Sequence, residues 1–260
     1  MGVEFVYIPQ CRIGNVLFQY IAARIFAEAQ GLRLLTPFDP PNGKDIVSVA
    51  PPRDGEVVDD PVVGLTDDLP WVSAQGQGPH MVIRHGDELS SKAWPKARYR
   101  LQGWFQWSDW YHALRPRIEK FVAPSEIPAV NTRDIVVNLR IGADYRDHRW
   151  IIHPAWYISI LESERFEQLH VVTDVRDEEY LAHFARYSPV VVSSGPKGDW
   201  EYLRSFDRII CSNSTFAWWA AYFSRASRIY TFKRWNLHPV VHLGPFPGGI
   251  EQDGPFLHEV

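Results

Sequence analysis

The sequence predicts an α/β protein built as two Rossmann-like halves facing a cleft, and three observations carry that expectation. The chain opens as strand, helix, strand. Its second half alternates short apolar, β-branched runs with segments of helical period. Between the two lies Ala123–Arg133, which holds two prolines and little periodicity and is the best linker candidate. Apolar strands alternating with helices indicate a parallel sheet covered on both faces.

The elements follow in order. Val3–Ile8 is apolar and β-prone, Asn15 to Gln30 has helical period and stops at Gly31, and Leu32–Leu35 resumes strand character. From Pro37 to about Pro95 Pro, Gly and Asp recur too often for long elements, with short strands expected at Val57–Val58, Val62–Val63 and Met81–Ile83. A helix is expected around Tyr111–Phe121. Beyond the linker come strand Ile135–Leu139, helix Pro154–Glu164, strand Leu169–Thr173, helix Asp177–Arg186, strand Val190–Ser193 and helix Trp200–Ser205. Strand Arg208–Cys211, helix Thr215–Ser224 and strand Ile229–Phe232 follow. The expected division is 1–128 and 129–260, with the last segment free to return to the first half.

Composition narrows the functional classes. With 260 residues, 45% hydrophobic and 22% charged, the chain is neither disordered nor collagen-like. A net charge of -4 provides no global positive field for nucleic acid or anionic lipid, although a local anion site stays open. Cys11 and Cys211 are too few and too far apart for a disulfide framework, which suggests buried thiols in a reducing compartment, with one long-range disulfide as the alternative. The opening MGVEFVYIPQ has no basic and apolar leader pattern, and no long apolar run occurs elsewhere, so a cytoplasmic location is expected. The unusual feature is 14% aromatic residues, with Trp 11, Tyr 11 and Phe 14.

Walker A, GxGxxG, GxSxG and HExxH sequences are all missing, and so is any Asp-x-Asp pair. A diphosphate held through Mg²⁺ or Mn²⁺ usually needs closely spaced carboxylates. Any diphosphate bound here is therefore expected to be neutralised by Arg, Lys and helix dipoles, with no metal ligand set.

Four segments carry chemistry. In IVVNLRIGADY (135–145), Asn138 and Arg140 lie at a strand's carboxyl end before the turn at Gly142, where a guanidinium can grip two phosphate oxygens. Equally, Arg140 could pair with Asp144 or Asp174 and tie down a loop. In RIICSNSTFAWWAAY (208–222), Ser212-Asn213-Ser214-Thr215 sits at a helix N-terminus, where free N–H groups and the dipole cradle phosphate. Capping of that helix by Ser212, Asn213 or Ser214 is the more common use of such a turn. The opening turn Cys11-Arg12-Ile13-Gly14-Asn15 offers Gly14 for close backbone approach, or simply a tight connection capped by Asn15. In VVTDVRD (171–177), Thr173 and Asp174 follow a strand, and Asp174 could accept from a base or a sugar hydroxyl or cap the next helix.

Taken in order, these segments resemble the α-1,2-fucosyltransferases of glycosyltransferase family 11, over nearly the whole chain. CRIGNVLFQYIAARIFAEAQG is similar to that family's opening Gly-Asn-x-x-Phe-Gln-Tyr helix, and LQGWFQ (101–106) to its Leu-x-Gly-Tyr-x-Gln segment. SNSTFAWWAAYFS resembles its Asn-Ser-Ser-Phe-Ser-Trp-Trp-Gly segment, preceded by DWEYLRSFDRIICSNS in the same order.

The resemblance implies a GT-B fold, an acceptor-side first domain, a donor-side second domain, GDP-fucose as donor substrate with no further cofactor, and metal-independent transfer with inversion. It implies donor contacts at Gly14, Asn15, Asn138, Arg140, Thr173, Asp174, Asn213, Ser214 and Thr215, and catalytic work by Arg140, Asp144 and Asp174. For the acceptor proton the candidates are Asp144, Asp174, His153 and Asp109. A glycan or oligosaccharide is the implied acceptor, and membrane contact enters only through a lipid-linked one.

Two places depart from the family. Its His-x-Arg-Arg-Gly-Asp signature stands here as Asn138-Leu139-Arg140-Ile141-Gly142-Ala143-Asp144, and its Ser-Asp-Asp as Thr173-Asp174-Val175. Val175 cannot supply the acceptor pair that guanine asks for. Another nucleotide-6-deoxyhexose donor, or a catalytically silent carbohydrate-binding protein, are the competing expectations. Among the aromatics, Trp218 and Trp219 are expected behind the phosphate turn. The Trp104, Phe105, Trp107, Trp110 and Tyr111 cluster is expected either to pack between domains or to present indole faces to a sugar.

Overall fold

The computed structural model describes residues 2–5, 12–38, 46–52, 55, 62–67, 80–83, 86–95, 97–124, 129–233 and 246–259. The expected strand Val57–Val58, the end of the first strand and Cys11 lie outside them. The chain divides into two compact units, Met1–Ala123 and Pro124–Val260.

In the first unit, β1 (Val3–Phe5) leads to α1 (Ile13–Gln30), which ends where Gly31 adopts φ 66 and a left-handed conformation that glycine reaches without strain. Helix α1 is buried on nearly every side, with Val16, Leu17, Phe18, Ile21, Ile25 and Phe26 inaccessible to solvent. Its sequence is accordingly apolar almost throughout. The expected strand at Leu32–Leu35 appears as isolated bridges at Leu32 and Leu34, the latter parallel to Val3. A four-stranded parallel sheet runs β1-β5-β3-β4, with β3 at Val62–Asp67, β4 at His80–Ile83 and β5 at Arg98–Gln102. A small pair joins β2 (Val47–Val49) to β6 (Val122–Pro124). Helix α2 (Gly86–Ser91) precedes β5. The helix expected at Tyr111–Phe121 is two short ones, α3 (Ser108–Ala113) and α4 (Arg115–Ile118). Pro116 lies in the first turn of α4, where its missing N–H costs nothing, but it could not continue α3.

The second unit is a mixed α/β body on six parallel strands in the order β12-β11-β10-β7-β8-β9. These are β7 (Ile135–Leu139), β8 (Leu169–Thr173), β9 (Val190–Val192), β10 (Arg208–Cys211), β11 (Arg228–Phe232) and β12 (Ile250–Gln252). The crossovers carry α5 (Ala143–Asp147), α6 (Pro154–Ser163), α7 (Glu178–Ala182), α8 (Gly195–Arg204) and α9 (Thr215–Tyr222). In sequence the strands step outward from β7 through β8 to β9, then restart on the other side of β7 with β10, β11 and β12. This is the Rossmann-like order, and its reversal lies between β7 and β10.

All five residues of β7 are buried, as an interior parallel strand requires. Helix α8 begins at Gly195, earlier than the expected Trp200, because Pro196 occupies its first turn. The last segment stays with this unit. Strand β12 pairs with β11, Ile152 bridges Phe256, and Phe256 packs on Phe232 with ring centroids 5.4 Å apart. Trp218 and Trp219 are fully buried on α9. Trp218 stacks on Tyr222 and Trp219 on Phe223, each four residues on.

Among the described residues no helix is long and apolar enough to cross a membrane. Cys211 is a free, buried thiol, and burial pushes its pKa up to about 12.

Candidate active site

In open parallel sheets ligands settle outside the carboxyl ends of the strands where the strand order reverses. Here that point joins the loop after β7 to the loop after β10. Arg140 leaves the end of β7 and is ion-paired on both sides, Nη1 to Asp174 and Nη2 to Asp144 Oδ2 at 2.5 Å. The pairing foreseen as the alternative to phosphate binding is thus present, and with both carboxylates at once. Asp174 also accepts the Ile141 N–H at 3.0 Å through Oδ1.

Gly142 makes this closeness feasible. Its φ of -62 is open to any residue, but a Cβ there would stand 2.5 Å from Asp174 Oδ2 and 3.2 Å from Asp144 Oδ1. Asp174 does not cap the following helix. That role falls to Asp177, whose Oδ1 accepts the Tyr180 N–H at 3.0 Å.

Asn138 is buried and turns sideways along the sheet. Its Oδ1 accepts the Ser212 hydroxyl at 2.5 Å, and its Nδ2 reaches Val172 O at 3.5 Å. Thr173 is also buried, its hydroxyl donating to Val175 O at 2.7 Å in a local turn. Asn213 donates from Nδ2 to Trp150 O at 2.9 Å.

The N-cap residue of α9, Ser214, makes no side-chain capping bond. Among the described residues Ser212 instead donates to Asn138 and Asn213 donates from Nδ2 to Trp150 O. The N–H groups of Thr215, Phe216 and Ala217 precede the first intrahelical bond, Trp218 N–H to Ser214 O at 2.9 Å. An uncapped helix N-terminus of this kind attracts anions through its N–H groups and its dipole.

Tyr145, which sequence reasoning passed over, connects the two loops. Its ring lies under the Arg140 guanidinium at 4.9 Å and its hydroxyl donates to Asn213 O at 2.6 Å. Burial, partly offset by Arg140 and reinforced by Asp144 and Asp174, pushes its pKa up to about 12, so it acts as a neutral donor. One tyrosine side chain thus lies between the Arg140 guanidinium and the turn at 212–215. Its signal in the sequence was only its place five residues after Arg140, on the short helix that follows the turn. Trp150, edge-on to Tyr145 at 5.8 Å and stacked with His148 at 4.5 Å, was equally unannounced.

The remaining candidates lie apart from this constellation in role. His153 is the N-cap of α6, and its Nδ1 accepts the Ala155 N–H at 3.2 Å, which places the ring proton on Nε2. Burial and His183 hold its pKa below the usual histidine range.

Gly14, Asn15 and Asp109 belong to the first unit. Gly14 is buried inside the first turn of α1 and does not stand in a loop, and the N-cap is Arg12, not Asn15. Asn15 Oδ1 instead accepts Gln106 Nε2 at 3.1 Å, joining α1 to the segment that follows β5. The neighbouring aromatics pack inside this unit. Phe105, Trp110 and Tyr111 are buried, and the Tyr111 hydroxyl donates to Phe18 O and Phe105 O. Trp104 and Trp107 stay partly accessible.

Among the described residues no three His, Cys, Asp or Glu side chains form a metal-ligand group. No family model and no curated protein matches this chain.

Proposed function

We propose that the chain is a GT-B-type inverting glycosyltransferase that moves L-fucose from GDP-fucose to a hydroxyl of a glycan without a metal. The observation that carries this reading is the pairing of Arg140 with the uncapped N-terminus of α9, bridged by Tyr145 at the switch between β7 and β10. Cleavage of the bond from sugar C1 to the diphosphate leaves negative charge on the departing oxygen. Preorganised donors answer that charge, and removing one such donor costs about 2.7–4 kcal/mol in the best-studied case. Arg140 and the N–H groups around Thr215 are the donors here. Asp144 and Asp174 hold Arg140 in place, and His153 serves as a helix cap, so none of the three is assigned the acceptor's proton.

The choice of GDP-fucose rests on the family resemblance. Another nucleotide-6-deoxyhexose donor fits the same phosphate site, because Asn138 is spent on Ser212 and Val175 stands exposed where the family has a carboxylate. A second reading, a silent carbohydrate-binding protein, is favoured by the double ion pair of Arg140, which would serve as a latch.

Thermal-shift measurements with GDP, UDP, dTDP, ADP and GDP-fucose separate these readings. Stabilisation by GDP and GDP-fucose that survives excess chelator and is lost in Arg140→Ala supports the proposal. A response to another nucleotide redirects the donor, and no response to any supports the silent protein. Strict Mn²⁺ dependence contradicts the reading.

A further inference from the structure

The two carboxylates on Arg140 are not equivalent. Asp174 is fixed: one oxygen takes Arg140 Nη1, the other takes the Ile141 N–H, and the backbone at Gly142 closes against it. Asp144 stands on the five-residue helix α5 with its side chain 44% exposed, against 22% for Asp174. An ion pair with a partner so exposed is cheap to exchange, because water and salt compensate the released carboxylate. Asp144 Oδ2 also lies where a phosphate oxygen would meet Arg140 Nη2, since carboxylate and phosphate satisfy the same guanidinium edge.

We propose that Asp144 is a built-in competitor at this site: it holds the Arg140 Nη2 position that a ligand diphosphate takes over, while Asp174 stays in place. The inference rests on the anion-binding reading above and adds a determinant of affinity. A monophosphate on Arg140 must displace Asp144, and a diphosphate that also reaches the first turn of α9 displaces it in the same way. The cost of displacement is common to both, so Asp144 lowers the affinity of every anion that uses Arg140 Nη2 by a similar factor.

Calorimetric titration of the full chain with inorganic diphosphate, GDP and GMP tests this in the wild type and in Asp144→Asn, Asp144→Ser, Asp147→Asn, Asp174→Asn and Arg140→Ala, with melting curves confirming that each is folded. Both Asp144 variants are expected to bind inorganic diphosphate, GDP and GMP about fivefold more tightly, with the ratio between GMP and GDP little changed. Asp147→Asn removes the same charge from the same helix and is expected to change affinity less than about twofold. Asp174→Asn should weaken binding.

Unchanged or weaker binding in both Asp144 variants overturns the proposal, and so does equal tightening by Asp147→Asn, which would be a general charge effect. In either case wild-type binding that disappears in Arg140→Ala leaves the anion-site reading standing. Binding that persists in Arg140→Ala, or no binding by the wild type and both Asp144 variants, overturns the two together.

Discussion

Ser212 donates its hydroxyl to Asn138 Oδ1 at 2.5 Å, tying the carboxyl ends of β7 and β10 across the point where the sheet reverses its order. Both side chains are buried, so neither partner has water as a substitute. This bond makes Asn138 a clip between the two strands. The turn at 212–215 is therefore held by Asn138 through Ser212 and by Tyr145 through Asn213 O.

Removing either half of the clip leaves the other buried and unsatisfied. Asn138→Ala and Ser212→Ala are each expected to cost about 1–3 kcal/mol in urea unfolding. The double variant should cost less than the sum, with a coupling of about 0.5–3 kcal/mol between the sites. Additive losses would mean that the two side chains act independently, which the observed bond does not allow.

Tyr145 offers a separation of its two roles. Tyr145→Phe keeps the ring under Arg140 and removes only the bond to Asn213 O, so a loss of about 0.5–1.5 kcal/mol in stability is expected. Nucleotide affinity should fall less than in Tyr145→Leu, which takes the ring away too. Equal affinities in the two variants would show that the ring contributes nothing to Arg140.

Much of the second unit was legible in the sequence. Ile135–Leu139, Leu169–Thr173 and Arg208–Cys211 appear as strands at the expected residues, because interior parallel strands announce themselves as unbroken apolar runs. Gly31 likewise announced the end of α1. The strand Arg98–Gln102 went unread although Tyr99 and Leu101 alternate with Arg98 and Arg100, the period of a half-buried strand. The site was half legible. Arg140 and the turn at 212–215 could be placed at strand ends by pattern alone. That Ser212 would spend its hydroxyl on Asn138, that Asp174 would leave capping to Asp177, and that Tyr145 would bridge the loops are tertiary choices between equally available hydrogen bonds. Local sequence does not rank those choices.

Alkaline unfolding should report on Tyr145 and Tyr230. Burial raises both to about 12 from an ordinary 10.0, with Glu164 adding to the shift of Tyr230. A phenol whose pKa is raised in the folded state holds its proton more tightly there. Its contribution is complete below pH 10 and is lost as pH rises towards 12. The melting temperature is expected to fall across that window, and less steeply in Tyr145→Phe. An identical slope in the variant would place Tyr145 outside the effect.

Acid acts through other groups. Burial alone would raise the pKa of Glu164, but hydrogen bonds from Tyr230 and Arg228 and the charges of Arg228 and Arg208 outweigh it and hold the carboxyl below its ordinary 4.5. Asp177 is held below 3.8 chiefly by the Tyr180 N–H, against burial, with help from Arg146. Depressed carboxyls stabilise the fold above their ordinary values and lose that contribution as pH falls through the lower folded ones. Stability should therefore decline below about pH 4.5, and Glu164→Gln should start lower at neutral pH and decline less. A variant as steep as the wild type would remove Glu164 from the acid limb.

Gly142→Ala tests the packing that brings the carboxylates onto Arg140. The backbone at Gly142 has φ -62 and ψ 170, which alanine adopts freely, so no conformational strain enters. What the methyl group meets is Asp174 Oδ2 at 2.5 Å and Asp144 Oδ1 at 3.2 Å. Asp174 must withdraw, giving up part of its hold on Arg140 and on the Ile141 N–H. A destabilisation of about 1–3 kcal/mol is expected, as for other overpacked sites. Anion affinity should fall as well, because Arg140 loses the carboxylate that aims it while Asp144 remains as competitor. Gly142→Ala in an Asp174→Asn background should cost less than in the wild type if the clash acts through Asp174. An undiminished cost would locate the strain elsewhere in the loop.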